Sequence, residues 1–186
     1  MNRITQALVW IRRIRHCRGF GIQSPTDYRF VRYVINEHWP YYEYDNLTKG
    51  DGWLKKKLGK LYMRLSNHLQ PTTIIDLVGA EKYLKAGCRR ATCLSPLSSH
   101  AGADLQSHAL TETIDLALVP IQTEFQHLFS LCDEHSVVVF ENIYQQPSLW
   151  HCIEYDRRVA VTFDLYYCGI VIFNKRRTPA NYIVNF

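Results

Sequence analysis

One stretch, residues 72–84, constrains the fold of this chain more than any other. Its sequence, TTIIDLVGAEKYL, is apolar and β-branched up to an acidic residue, then passes a glycine into a run typical of a helix. This order predicts a buried strand with Asp76 near its end, a turn at Gly79 and a helix beyond it. In doubly wound α/β folds such a turn borders the ligand crevice, which lies beyond the carboxyl ends of the strands. We therefore expect the functional site here.

The chain from residue 71 onward alternates predicted strands with helical segments. This alternation indicates a mainly parallel sheet covered on both faces. The last two long strand segments are separated by too few residues for a helix, so they must form an antiparallel hairpin. The predicted strands are residues 73–78, 91–95, 114–119, 137–140, 159–165 and 168–173, with 182–186 as an extra candidate.

The connection between the first strand and residue 114 is short. It spans only about 35 residues and contains one clear strand segment. Two strand–helix units need more chain than this, so we expect the third strand of the sheet to be lost or vestigial.

Residues 1–70 are predicted to form a helical segment packed on a Rossmann-like domain of residues 71–186. The first helix carries a stripe of apolar residues, and its arginines fall mostly off that stripe. Such a helix can lie on a membrane surface, but we expect this one to pack on the domain or on a second subunit, which makes a homodimer a candidate. The stripe consists of Ile4, Leu8, Ile11 and Ile14.

Two further helices have recognisable beginnings. Ser24 is a favourable N-cap and Pro25 suits the first helical position, which predicts a helix over 25–38. Asp51 is expected to cap a third helix that continues to Leu69 with a leucine stripe. The aromatic segment between these helices, WPYYEYDNLTKGDG, is predicted to be an ordered loop.

Composition bounds the class of protein. Hydrophobic residues make up 47% and charged residues 21% of the 186 residues, as in ordinary globular domains. No window approaches the ~18 apolar residues of a membrane span, so we expect neither a span nor a signal peptide, and a cytoplasmic location. Six cysteines without a C-x-x-C pair favour reduced thiols and no bound metal.

Charge is uneven along the chain. Residues 1–67 contain 13 Lys and Arg against 5 Asp and Glu, whereas residues 68–186 contain 9 against 12. A basic half can attract nucleic acid, but helices with solvated Lys and Arg faces give the same count and no nucleic-acid-binding motif is present. Nucleic-acid binding through this half is therefore kept as a secondary alternative, and the solvated-face interpretation is preferred.

Several stretches together resemble the class I S-adenosylmethionine-dependent methyltransferases, and one bacterial branch of them in particular. Such domains have a seven-stranded sheet whose last strand runs antiparallel, so the resemblance implies a Rossmann-like fold with a C-terminal antiparallel hairpin, shortened here around the third strand. It covers nearly the whole chain. The stretches are RHCRGFGIQSP, YYEYDNL, LYMRLSNHLQPTTIIDL, SVVVFENIYQQP and RVAVTFDLYYCGIVIF.

The departures from the family pattern fall at cofactor positions. In the family the first strand is followed by Gly-x-x-x-Gly, whereas Val78 and Lys82 occupy those positions here. The acid that holds the ribose at the end of the second strand is replaced by Ser95, followed by Pro96. Pro120 stands where the fourth strand of the family ends in an acid.

We therefore expect a methyltransferase-like protein with weakened or lost cofactor binding that acts as a binding or interaction module. The alternative is an active methyltransferase on an unknown acceptor. S-adenosylmethionine is the one cofactor implied, the partner is an unidentified small molecule or protein, and no residue is assigned as catalytic. If binding is retained, the expected cofactor-binding residues are Asp76, Gly79, Ser95, Glu141 and Asn142.

The sequence contains no motif of the other enzyme classes that we considered. The eight histidines show no H-E-x-x-H pattern, and neither a G-x-S-x-G elbow nor a G-x-x-x-x-G-K-[ST] loop is present. Ser98, Ser99 and His100 are adjacent, but adjacency in sequence is not the geometry of a catalytic triad. We therefore do not expect a hydrolase.

Overall fold

A computed structural model describes residues 3–41, 43–95 and 113–186. Helices come first, and strands then alternate with helices. The α-helices are α1 (Arg3–Arg12), α2 (Pro25–Phe30), α3 (Tyr44–Leu47), α4 (Trp53–Leu69), α5 (Glu81–Gly87), α6 (Phe125–Ser130) and α7 (Pro147–Glu154), with 3₁₀ turns at Ile14–His16 and Ile143–Gln145 and a π-helical turn at Val31–Ile35. The strands are β1 (Thr73–Asp76), β2 (Thr92–Leu94), β3 (Leu116–Pro120), β4 (Val137–Glu141), β5 (Val161–Asp164), β6 (Cys168–Ile172) and β7 (Ala180–Ile183).

The seven described strands form one sheet in the order β2-β1-β3-β4-β6-β5-β7. Strands β1 to β4 are parallel to one another. Strand β6 is inserted antiparallel between β4 and β5, so the predicted hairpin is confirmed. The extra strand, β7, pairs parallel to β5 at the edge and lies two residues earlier than its predicted start. The fate of the third strand falls within residues 96–112, outside the described part of the chain.

The sheet buries apolar side chains on both faces because its strands alternate side chains between two cores. In β3, Leu116 and Leu118 face the first core, and Ala117 and Val119 face the second. The first core is completed by α2, the π-helical turn, α4 and α5, and the second by α6 and α7. The result is a sheet covered by helices on both sides, as the short apolar strands predict.

The beginnings of the N-terminal helices agree only in part with expectation. The Ser24 hydroxyl accepts the Asp27 N–H at 3.3 Å and caps α2, as predicted. The N-cap position of α4 is occupied by Gly52, and no side chain accepts a hydrogen bond there. The predicted cap at Asp51 is therefore wrong. The Asp51 carboxylate instead binds the Lys82 ammonium at 2.6 Å and the Tyr83 hydroxyl at 2.5 Å.

Helix α1 does not pack its apolar stripe on the domain, which was one of the two kinds of packing expected for it. It contains no buried residue, and its apolar stripe points away from the protein, with Ile11 57% exposed. Arg13, just beyond the helix, pairs with Asp164 at 2.6 Å, and the carbonyl group of Trp10 accepts a hydrogen bond from the Asn185 side chain at 3.2 Å. In the part of the chain that the structure describes, no helix has the length and apolar character needed to cross a bilayer.

Candidate functional site

A cavity of about 330 Å³ opens at the carboxyl ends of β1 and β4. The chain leaves β1 for β2 on one side and returns to β3 on the other, so this end of β1 is a topological switch point, where α/β sheets bind ligands. Helix α4 forms one wall with Leu58, Gly59 and Tyr62, while the β1–α5 loop and the end of β4 form the others. The location matches the expectation from residues 72–84.

The β1–α5 loop is closed by its own acidic residue. Asp76 is fully buried, and its carboxylate accepts the backbone N–H groups of Val78 at 3.1 Å, Gly79 at 3.0 Å and Ala80 at 2.7 Å. Gly79 takes the left-handed conformation, with φ at 73°, so the β-branched Val78 does not have to adopt it. The N–H groups that could hold an anionic ligand in this loop are thus bound to the side chain of Asp76.

Glu141 brings a carboxylate to the cavity wall from the end of β4. Its Oε1 accepts the hydroxyl hydrogen of Tyr62 at 2.5 Å. Burial raises the pKa of Glu141, and burial also raises the pKa of Tyr62 well above its usual value. The pair therefore presents a protonated phenol and a half-buried acid to the cavity. Asn142 follows in the left-handed conformation, with φ at 61°, and also lines the cavity.

Tyr83 closes the side of the cavity between α4 and α5. Its ring is fully buried and lies directly over Gly59, where a side chain would collide with the ring carbons. Its hydroxyl donates to Asp51 at 2.5 Å, and burial followed by that hydrogen bond raises the pKa of Tyr83. An isolated glycine inside the helical pattern of α4, one residue after Leu58, was the sequence signal of this close approach.

The expected site residues do not all meet. Gly79, Glu141 and Asn142 line the cavity, whereas Asp76 lies beneath the loop and supports it. Ser95 follows β2, is buried and is not part of the cavity lining. Sequence reasoning missed the wall contributed by α4 and α5, which consists of Leu54, Lys55, Leu58, Gly59, Tyr62 and Tyr83.

Metal ligands are not grouped in the described residues: no three His, Cys, Asp or Glu side chains there are placed to hold an ion. All six cysteines are free thiols. Cys168 is fully buried beside the cavity wall, opposite Glu141 in the β4–β6 pairing, and burial raises its pKa well above the usual value. A thiol held protonated in this way is a poor nucleophile.

The strand order decides which fold this is. Parallel strands lie on either side of the switch point, and the terminal hairpin inserts the antiparallel strand β6 beside β4. This is the arrangement that the sequence resemblance implies. The chain has the class I methyltransferase fold. No family model matches the sequence, and no curated protein is detectably similar to it.

Two solved methyltransferases are similar in structure. One is from Geobacter sulfurreducens, with 12% sequence identity and a TM-score of 0.49, over 63% of this chain and 79% of that one. The other is PaMTH1 of Podospora anserina, solved with SAH bound, with 9% identity and a TM-score of 0.48, over 82% of this chain and 97% of that one. Likeness at this level says nothing about cofactor or activity, and the fold assignment rests on the strand order.

Proposed function

We propose that this protein keeps the methyltransferase fold, has lost effective binding of S-adenosylmethionine, and acts as a binding or interaction module. The observation that carries the proposal is that the acidic side chains at the edge of the cavity are hydrogen-bonded to the protein itself. Asp76 is bound to its own loop, and Glu141 is bound to Tyr62. Among the described residues that line the cavity, Glu141 is the one with a carboxylate.

The residues at the family's glycine positions support the proposal. Val78 places a β-branched side chain on the cavity wall where the resemblance calls for glycine. Lys82, at the second glycine position, is held by Asp51 at 2.6 Å. Glycine suits this turn because the methionine part of a cofactor passes close to the backbone, and a side chain keeps the ligand at a distance.

The ends of β2 and β3 give further support. Ser95 follows β2 where the family has the ribose-binding acid, and a hydroxyl cannot accept from both ribose hydroxyls as a carboxylate does. Losing that bidentate contact costs roughly 2 to 4 kcal/mol, or about 30- to 1000-fold in affinity. Pro120 ends β3 and supplies neither an acid nor a backbone N–H.

The second candidate is an active methyltransferase that holds its cofactor in an altered way. It is favoured by the cavity itself, because a space of about 330 Å³ remains open at the switch point and Glu141 borders it. In that case the acid would attract the positively charged end of the cofactor. Gly79 adds open space, since a Cβ added there would have no atom within 4 Å.

Calorimetry and thermal shift with S-adenosylmethionine and its demethylated product test the two candidates. A ligand at about 100 times its Kd stabilises a protein by about 2.7 kcal/mol, which raises Tm by about 5–10 °C for a chain of this size. We expect no shift at millimolar ligand. A clear shift that Glu141→Gln reduces, with Glu134→Gln on the surface as the matched control, would contradict the loss of cofactor binding and favour the second candidate.

A further inference from the structure

Helix α1 contacts the protein through its polar side and leaves its apolar side outward. The guanidinium of Arg13 pairs with the Asp164 carboxylate at 2.6 Å and donates to the carbonyl groups of Asp164 at 3.1 Å and Val184 at 3.2 Å. Successive residues turn by about 100° around a helix, so Leu8 and Ile11 lie on the opposite side. This is the reverse of a helix that packs its apolar face on a core.

The outward side combines large apolar side chains with arginine. Ile4, Leu8, Ile11 and Ile14 are each at least half exposed, and Phe20 in the following loop is 81% exposed. The basic residues around them are Arg3, Arg12, Arg15 and Arg18, all exposed. Residues 3–26 contain no Asp or Glu, so the surface is apolar and uniformly basic.

This charge decides among the occupants of the surface. A second copy of the chain would bring arginines against arginines, with no acid in residues 3–26 to pair with them. An anionic lipid surface is complementary in both respects: its headgroups attract Arg, and its outer acyl region accepts Leu and Ile side chains.

We propose that the outward side of α1 docks this protein on an anionic lipid bilayer, with the helix lying parallel to the surface. The docked helix keeps its contact with the body through Arg13, because that side chain points away from the apolar stripe. The proposal is independent of whether the cavity binds S-adenosylmethionine.

Vesicle co-sedimentation of the full chain tests the proposal. We expect binding to phosphatidylcholine vesicles that contain phosphatidylglycerol, weak binding to phosphatidylcholine alone, and loss of binding as salt rises. The double substitution Leu8→Gln with Ile11→Gln removes two inserted side chains and should weaken binding about tenfold or more.

Two more variants separate charge from apolar contact. Arg12→Gln with Arg15→Gln should weaken binding to anionic vesicles about tenfold or more and leave the weak binding to neutral vesicles unchanged. Tyr155→Gln with Arg157→Gln, two exposed residues after α7, is the matched control and should bind like the wild type. Circular dichroism of each variant reports whether it folds.

Three results would overturn the proposal. The first is wild-type protein that binds anionic vesicles no better than neutral ones. The second is binding that the substitutions at Leu8 and Ile11 leave unchanged although the protein is folded. The third is a wild-type dimer in sedimentation velocity that these same substitutions convert to a monomer, which would assign the surface to a second copy of the chain.

Discussion

The contact between Gly59 and Tyr83 gives the sharpest test of how α4 and α5 close the cavity. A Cβ added at Gly59 would lie 2.5 Å from Cε1 of Tyr83 and nearer still to two other ring carbons. The ring cannot easily move, because it is fully buried and its hydroxyl is held by Asp51 at 2.5 Å. Gly59→Ala therefore forces α4 and α5 apart.

The expected magnitude combines two opposing effects. Overpacking of a core costs about 1–3 kcal/mol, whereas replacing glycine by alanine inside a helix gains about 1 kcal/mol of helix propensity. We expect Gly59→Ala to lower the free energy of unfolding by up to about 2 kcal/mol, and Tm by up to about 8 °C. Urea unfolding followed by far-UV circular dichroism measures the first quantity.

Substitutions at Tyr83 supply the controls. Tyr83→Leu removes the ring atoms that collide, so Gly59→Ala in that background should be neutral or stabilising by up to about 1 kcal/mol. Tyr83→Phe keeps the ring and removes only the hydroxyl, so Gly59→Ala should stay destabilising there. If Gly59→Ala costs the same in both backgrounds, or raises stability in the wild type, the packing argument is wrong.

Three further predictions concern the acids of the cavity edge. Asp76→Ala leaves three loop N–H groups without their acceptor, so we expect a loss of about 3 kcal/mol in urea unfolding and faster hydrogen exchange at Gly79; an unchanged exchange rate would contradict the hydrogen bonds. Tyr62→Phe removes the donor that the half-buried Glu141 carboxylate has in the described residues and should cost about 1–3 kcal/mol in urea unfolding. Burial raises the pKa of Glu141 above its ordinary 4.5, so the folded state binds that proton more tightly than the unfolded state. The stability that Glu141 contributes is fully present below the ordinary pKa of 4.5 and is lost as pH rises through the pKa of the folded state. In the wild type, Glu141 should therefore lower the urea midpoint as pH rises from about 4 to 7, and Glu141→Gln should lack this contribution. A pH profile like that of the wild type in Glu141→Gln would contradict the raised pKa.

Much of the fold could be predicted because it depends on local pattern. Strand positions follow from short apolar runs, and the hairpin of β5 and β6 follows from a connection too short for a helix. The edge strand β7 was harder to predict, since its residues alternate in burial and its pairing with β5 depends on the order of the whole sheet. The direction in which α1 faces depends on the distant Asp164, which no local pattern reveals.

Only the cavity residues that stand at the ends of strands could be predicted from the sequence. Asp76 and Glu141 stand at the carboxyl ends of β1 and β4, so topology alone brings them to one edge of the sheet. Tyr62 and Tyr83 come from helices, where an apolar stripe says that a residue is buried but not which residue it meets. Their meeting with Glu141 and with Gly59 depends on how α4 docks.

The internal pairing of the cavity's polar groups bears directly on which function the fold retains. Asp76 already accepts hydrogen bonds from three N–H groups and would lose them if its carboxylate bound a ligand. The contacts with the ligand would have to offset that loss before any net binding resulted. Glu141 differs, because its bond to Tyr62 uses Oε1, and no described residue donates a hydrogen bond to its other oxygen. Any ligand that enters this cavity is therefore expected to depend on Glu141 and to leave the Asp76 loop unchanged. Hydrogen exchange at Gly79 with and without ligand separates the two cases, and protection lost on binding would mean that the loop itself opens to hold the ligand.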